Sequence, residues 1–280
     1  MKVFLFALII LLFNSITNGQ NDTSQYLICY NVSHLIDSTN TKSVIQYPLY
    51  LFSGKRLSYS ISKNQYINDS INKYYKSINT ISGITIDNST RQIKRLTSYE
   101  SAIIYKDTYT SKFYETNQIA INKFSIEDSI KPINWEIQQF FKEIEGLSCQ
   151  LATAYYKGRK WSAWFCSQIP ISNGPWKLGG LPGLILEAYD NKKEISFIFT
   201  SINQQLNNNI IEIPNQGYTS TTKEKFYKLL SDYAENPLKF FETQFGFSIT
   251  NGEVDFSNGA SLNRSVKLKL PNNPIELSEK

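Results

Sequence analysis

The 280 residues carry 41% apolar and 14% aromatic side chains, ample material for a core, under a formal charge of only +5. Spread over a chain this long, that charge is too mild for a nucleic-acid-binding protein, and no Lys/Arg-rich stripe marks a binding face. With one histidine, three cysteines and neither HExxH nor CxxC, the chain offers little for a histidine-based triad or a His/Cys metal centre.

Met1-Lys2, the apolar run Val3 to Phe13 and the small residues of Thr17-Asn18-Gly19 read as a secretory signal. The run falls well short of the roughly 20 residues a spanning helix needs. Cleavage is expected after Gly19, giving a signal peptide over 1–19 and one domain over 20–280, because no linker, compositional change or repeat divides the remainder. Loss of Lys2 takes the charge from +5 to +4. No cysteine follows the apolar run directly, so no N-terminal lipid anchor is expected, and no later run is long enough for a transmembrane segment.

Gln25 to Val32 and Leu49 to Ser62 read as strands, the second interrupted at Ser53-Gly54. His34 falls in a polar stretch before Asp37 and reads as a surface residue. Asn64 to Asn79 places Ile67, Ile71, Tyr74, Tyr75 and Ile78 at helical spacing. Ile81 to Ile86, Ala102 to Tyr105 and Lys112 to Lys123 read as strands. So does 134 to 144, where Trp135, Ile137 and Gln139 alternate until Phe140-Phe141 break step.

Gln150 to Tyr156 and Arg159 to Phe165 flank Lys157-Gly158, where a glycine supplies the positive φ of a tight hairpin. With a two-residue loop, Tyr156 faces Arg159 and, counting outward, Cys149 faces Cys166. That is a non-hydrogen-bonded pair with Cα atoms about 4.5 Å apart, within reach of a disulfide. The alternative is two buried thiols acting as small hydrophobes, and Cys29 is left over in either case. Gly174-Pro175-Trp176 and Gly179-Gly180-Leu181-Pro182-Gly183 then set backbone turns before the apolar strand Leu184-Ile185-Leu186. No Gly-Lys-Ser/Thr follows, so this is no phosphate loop. A compact turn packing Trp176 over the sheet fits better.

Arg159-Lys160-Trp161-Ser162-Ala163-Trp164-Phe165, Gly174-Pro175-Trp176 and Gly180-Leu181-Pro182-Gly183-Leu184-Ile185 together resemble the signature of the GLPGLI family. Asn273-Pro274-Ile275-Glu276 is similar to that family's usual tail. The resemblance implies a secreted Bacteroidota protein of β-rich fold whose biochemical role is not established. It transfers no catalytic residue.

Thr221 to Ala234 reads as the clearest helix, capped by Thr222 with Phe226, Leu229, Leu230 and Tyr233 on one face. Asn236-Pro237 stops it before a short helix or turn from Leu238, and Gly246 to Thr250 and Ser265 to Leu270 read as closing strands. The expected architecture is mainly β: a curved antiparallel meander with one or two amphipathic helices packed on it. The functional reading is an exported periplasmic or outer-membrane-associated module without cofactor or metal. It would bind an apolar or peptide ligand, with Trp161, Trp164, Phe165 and Trp176 as candidate lining. It could equally serve an outer-membrane receptor or secretion component through anchors such as Tyr155 and Tyr156, or act purely as a structural interaction protein. A carboxylate hydrolase using Glu143 and Glu145, or Glu187 and Asp190, is the enzymatic alternative.

Overall fold

The computed structural model describes residues 21–82, 102–204, 209–245, 254–255, 261–262 and 267–277. The expected signal peptide and the stretch Gly246 to Thr250 lie outside the described residues. A short β1 (Asn21–Thr23) precedes β2 (Tyr26–Leu35), β3 (Val44–Ser53) and β4 (Leu57–Ser62), and helix α1 (Lys63–Ser82) follows. Next come β5 (Ile103–Asp107), β6 (Lys112–Ile119) and β7 (Asn122–Ser129). A second run contains β8 (Glu136–Ile144), β9 (Leu147–Tyr156), β10 (Arg159–Cys166), β11 (Leu184–Asp190) and β12 (Ile195–Gln204). The chain continues through β13 (Ile210–Glu212), β14 (Thr219–Thr221), α2 (Lys223–Glu235), α3 (Pro237–Phe245), β15 (Val254–Asp255) and β16 (Ser261–Leu262).

The fold is mainly β, with helices packed on an antiparallel sheet. Twelve strands form that sheet in the order β14-β7-β6-β5-β4-β3-β2-β12-β11-β10-β9-β8. It is two meanders joined where β12 pairs with β2, and only the β14–β7 pair is parallel. Connectivity forces the sheet to curl. In a flat sheet β7 and β8 would lie about 48 Å apart at the usual interstrand spacing. The connection over 130–135 reaches at most roughly 25 Å, so the two flanks must turn towards each other. Lys157 in the β9–β10 turn spans the gap to Asp128 on β7, Nζ to Oδ2 2.6 Å.

Period-two alternation fills the resulting trough. Ile28, Tyr30 and Val32 on β2 and Trp161, Ala163 and Phe165 on β10 belong to one buried cluster. The Gly/Pro-rich segment between β10 and β11 folds into this trough as a plug, adding Trp176, Leu178 and Leu181 to the same cluster. Its backbone approaches the sheet so closely that a Cβ on Gly183 would lie 2.2 Å from the Cys166 carbonyl oxygen. Two side chains hold the plug. Trp135 Nε1 donates to the Gly179 carbonyl at 2.9 Å. Lys106 Nζ, buried on β5, donates to Asn173 Oδ1, the Gly174 carbonyl and the Leu178 carbonyl at 2.9, 2.8 and 2.7 Å. Three acceptors match the three N–H bonds of an ammonium group, while burial pulls the Lys106 pKa from 10.5 down to about 7.

The other face is covered locally. Phe52, Tyr59 and Tyr105 stack across β3, β4 and β5, and Tyr66 of α1 closes over Phe52. The helix expected from Asn64 is present, although Tyr74 on its expected apolar face is exposed. On the inner face, Thr222 caps α2 by accepting from the Lys225 amide, and Phe226 packs on Phe124. No described helix is long and apolar enough to cross a membrane.

Several expectations need correction. Lys112 to Lys123 is not one strand, because Ala120, with φ of 55°, turns β6 into β7. Ile81 and Ser82 end α1, and 83–86 lies outside the described residues. Residues 267–270 form no strand. His34 is not on the surface. It continues the inward alternation of Ile28, Tyr30 and Val32 and is only 4% exposed. The β9–β10 register is as counted, with Lys157 and Gly158 at φ of 49° and 76° and pairing from Arg159–Tyr156 to Phe165–Gln150. Cys149 and Cys166 therefore follow as the next facing positions, but both are thiols and the expected disulfide is not formed. Each sulfur engages its own acceptor, Cys149 Sγ the Leu147 carbonyl at 3.5 Å and Cys166 Sγ Gln168 Oε1 at 3.8 Å. Burial, reinforced by Cys166, pushes the Cys149 thiol up to about 11.

The plug anchor has a pH signature. A lysine with a lowered folded-state pKa leaves the unfolded chain binding more protons between about 7 and 10.5, so its contribution to stability rises with pH across that window. Lys106→Met strands three buried oxygens and is expected to cost about 2–4 kcal/mol in urea denaturation. The stability gap between wild type and Lys106→Met should widen from pH 7 to about pH 10. A gap independent of pH would show that Lys106 keeps its ordinary pKa in the folded state.

Candidate functional site

The plug does not fill the trough. Between the inner sheet face, Trp176, α2 and the C-terminal segment remains a cavity of about 360 Å³, within the range of small-molecule sites. Its floor is Tyr47, Leu49, Ile104 and Phe197, and its roof is Phe226, Tyr227 and Leu230 of α2. Pro274, Ile275 and Glu276 close one side.

Two residues that line this cavity carry a buried polar atom without a hydrogen-bond partner: His34 at Nδ1 and Ser60 at Oγ. Both residues are nearly inaccessible, at 4% and 3% exposure. His34 Nε2 lies 2.6 Å from the Asn273 carbonyl oxygen, which only accepts, so Nε2 carries the proton. Burial lowers the His34 pKa, with nearby Arg159 adding to the effect and the Asn273 contact and Asp190 and Glu194 opposing it. The imidazole is therefore neutral, and its Nδ1 is left as an unpartnered lone pair on a residue that lines the cavity. Register places the two orphan atoms apart. Ser60 faces Leu51, which faces Ile28, six positions along β2 from His34, or about 20 Å along the strand. Leu49 and Tyr47 lie between those rows, so the cavity is elongated.

Segment 272–277 is a strap held by charge. Arg159, buried at the start of β10, donates to Asn273 Oδ1, the Pro274 carbonyl and the Ile275 carbonyl at 2.5, 2.8 and 3.0 Å. Its Nη1 is neutralised by Asp190 and Glu194 at 2.8 and 3.1 Å. Glu276 receives Lys177 at 2.7 Å, Lys157 at 3.2 Å and Lys223 of α2, and Lys177 also reaches Glu115 at 2.9 Å. The strap thus ties β10, the plug and α2 together. Burial alone would raise the Glu276 pKa, but Lys177 and Lys223 pull it down to about 2.

The residues expected as ligand lining are not brought onto one surface. Trp176 borders the cavity. Trp161 is fully buried between Trp176 and Phe197, its Nε1 donating to the Tyr156 carbonyl at 3.1 Å. Phe165 lies in the same core. Trp164 faces the other way, under Lys142 Nζ at 4.6 Å, which also bonds Glu187 at 2.7 Å. Tyr155 is 68% exposed, whereas Tyr156 is buried edge-on to Trp176. Glu187 and Asp190 occupy opposite faces of β11, and Asp190 is buried against Arg159. Glu143 and Glu145 are exposed around the β8–β9 turn. No group of three His, Cys, Asp or Glu side chains suited to a metal ion occurs among the described residues. Sequence reading missed His34 and Ser60. Extending the β2 alternation by one step from Val32 would have placed His34 inside, but Ser60, in a run of alternating serines, carries no such signal.

Residues 84–187 match the model of a family described as a protein of unknown function (Porph_ging). The match takes in β5 to β10, the plug and the first residues of β11. No curated protein sequence matches the chain. Structures of PNGF-II in the P21 and C2 space groups are similar at a TM-score of 0.47 and 12% identity, over 73% of this chain and 32% of theirs. The chain thus spans about a third of the length of those proteins, and a likeness this weak has no bearing on function.

The strap should be sensitive to acid. Because its folded-state pKa is depressed, Glu276 contributes stability that is fully present above its ordinary value of 4.5 and is lost as pH falls towards about 2. Amide protection at Asn273 and Leu277, measured by hydrogen exchange, should hold from neutral pH to about 4.5 and fall below it. Glu276→Gln should lower it at least about ten-fold at pH 7. Unchanged protection in that variant would mean the lysines do not hold the strap.

Proposed function

We propose that this chain is a non-enzymatic binding module of the GLPGLI type, exported as residues 20–280 to the periplasm or outer membrane, that carries an apolar or peptide ligand inside its curled sheet. The carrying observation is the cavity of about 360 Å³, mostly apolar and walled by the sheet, the plug, α2 and the C-terminal segment. The apolar run Val3 to Phe13 and the GLPGLI-like motifs support export and family. Carboxylate hydrolysis has less support, since Glu187 is paired with Lys142 and Asp190 with Arg159.

The test is native mass spectrometry of protein purified gently from its own envelope, with uptake of the uncharged fluorescent probe N-phenyl-1-naphthylamine as a second readout. Leu49→Trp fills the cavity from its floor at an overpacking cost of about 1–3 kcal/mol. Wild type should bring an apolar mass with it and take up the probe. The variant, checked for a native-like circular dichroism spectrum, should bind at least about ten-fold more weakly. Equal binding by both proteins, or none by either, overturns the reading.

An accessory role at an outer-membrane partner has its own support. Ile137, Phe140 and Phe141 on edge strand β8, with Tyr155 on β9, are 47%, 64%, 59% and 68% exposed, an uncommon density of apolar surface on a sheet edge. Phe140→Ser with Phe141→Ser should leave thermal stability within about 0.5 kcal/mol and abolish crosslinking to an envelope protein. Retained crosslinking removes this role from the β8 edge.

A further inference from the structure

We propose that the cavity selects an uncharged, elongated, largely apolar ligand bearing a hydrogen-bond donor, a hydroxyl or amide N–H, that bonds His34 Nδ1, with a second polar group reaching Ser60 Oγ. This inference rests on the binding reading above and specifies its ligand.

The polarity of the site decides the chemistry. An unpartnered buried nitrogen or hydroxyl costs about 1–3 kcal/mol, so two on one apolar cavity mark positions where a partner is missing. At His34 the partner must donate. The Asn273 carbonyl fixes the proton on Nε2, leaving Nδ1 as a lone pair in a buried ring. A carboxylate or phosphate would set its own lone pairs against that nitrogen. Nor does the cavity offer an anion any other welcome. Lys177, Lys157 and Lys223 beside its wall are already bonded to the carboxylates Glu115 and Glu276. At the other end Ser60 Oγ can donate or accept and therefore takes either kind of polar group. The separation of the two atoms along the sheet favours a ligand with polar points at both ends over a compact one.

The experiment is competition against the bound fluorescent probe by decanol, decyl methyl ether and decanoate. These share one chain and differ only in the head: a donor, an acceptor without a proton, and an anion. Decanol should bind wild type at least about ten-fold more tightly than the ether, the value of one buried hydrogen bond, and decanoate should bind more weakly than decanol. In His34→Leu the alcohol and ether should bind alike. Because His34 also contacts the strap, His34→Gln is the companion variant: its amide can keep the donor to Asn273 and offer an acceptor to the ligand, and it should retain part of the preference. A decandiol should lose affinity in Ser60→Ala, which leaves the strap contacts intact, while decanol loses less. Equal binding of alcohol and ether by wild type means that the orphan atoms are served by water alone and overturns this inference while the binding module stands. Tightest binding of decanoate also overturns it. Failure of every compound and of the probe itself overturns the binding reading as well.

Discussion

Lys106 is an ammonium group surrounded by three neutral oxygens and buried at the bottom of a curled sheet, and the Gly/Pro plug depends on it. A sheet bent enough to bring β7 and β8 together creates a concave face too large for its own side chains to fill. Something from elsewhere in the chain must enter. The segment between β10 and β11 does so, but its irregular backbone brings carbonyl groups that no neighbouring strand satisfies. Lys106 supplies three donors at that point, and Trp135 a fourth at Gly179. The glycines allow the close approach and the lysine makes the approach tolerable for the backbone.

The remaining space is closed by elements that do not belong to the sheet. Helix α2 lies over β6 and β7 through Phe226, and the strap at 272–277 bridges α2, the plug and β10 through Glu276 and Arg159. The floor is built from strands, whereas the roof and one side are a helix and a charged strap tied to the sheet through Phe226, His34 and Arg159.

Much of this was legible in the sequence where a local rule operates alone. The Lys157-Gly158 turn fixed a hairpin register that the structure reproduces pair by pair, because two positive-φ residues admit one tight loop geometry. Thr222 and the spacing of Phe226, Leu229, Leu230 and Tyr233 specified α2. Where two signals compete, reading failed. The polar flank of His34 outweighed its place in the β2 alternation. Ala120 turns the chain without a glycine, so β6 and β7 merged into one. Facing positions at Cys149 and Cys166 suggested a bond, yet both remain thiols, with Cys166 close enough to act on the Cys149 thiol. The tryptophans are a case in between: alternation alone puts Trp161 and Trp164, three residues apart on one strand, on opposite faces, but only tertiary packing tells which face lines a cavity. The cavity itself is built from residues 34 to 276, a separation at which sequence patterns say nothing.

The strap has a consequence in time. The His34–Asn273 contact spans 239 residues, more than any strand pairing among the described residues. Contacts of that separation are intrinsically late to form, and a chain made from its N-terminus produces every strand of the large sheet before the strap exists. The trough is thus completed with its interior still open to solvent. The compartment beneath α2 is sealed by the last step of folding, after the sheet that forms its floor is already in place.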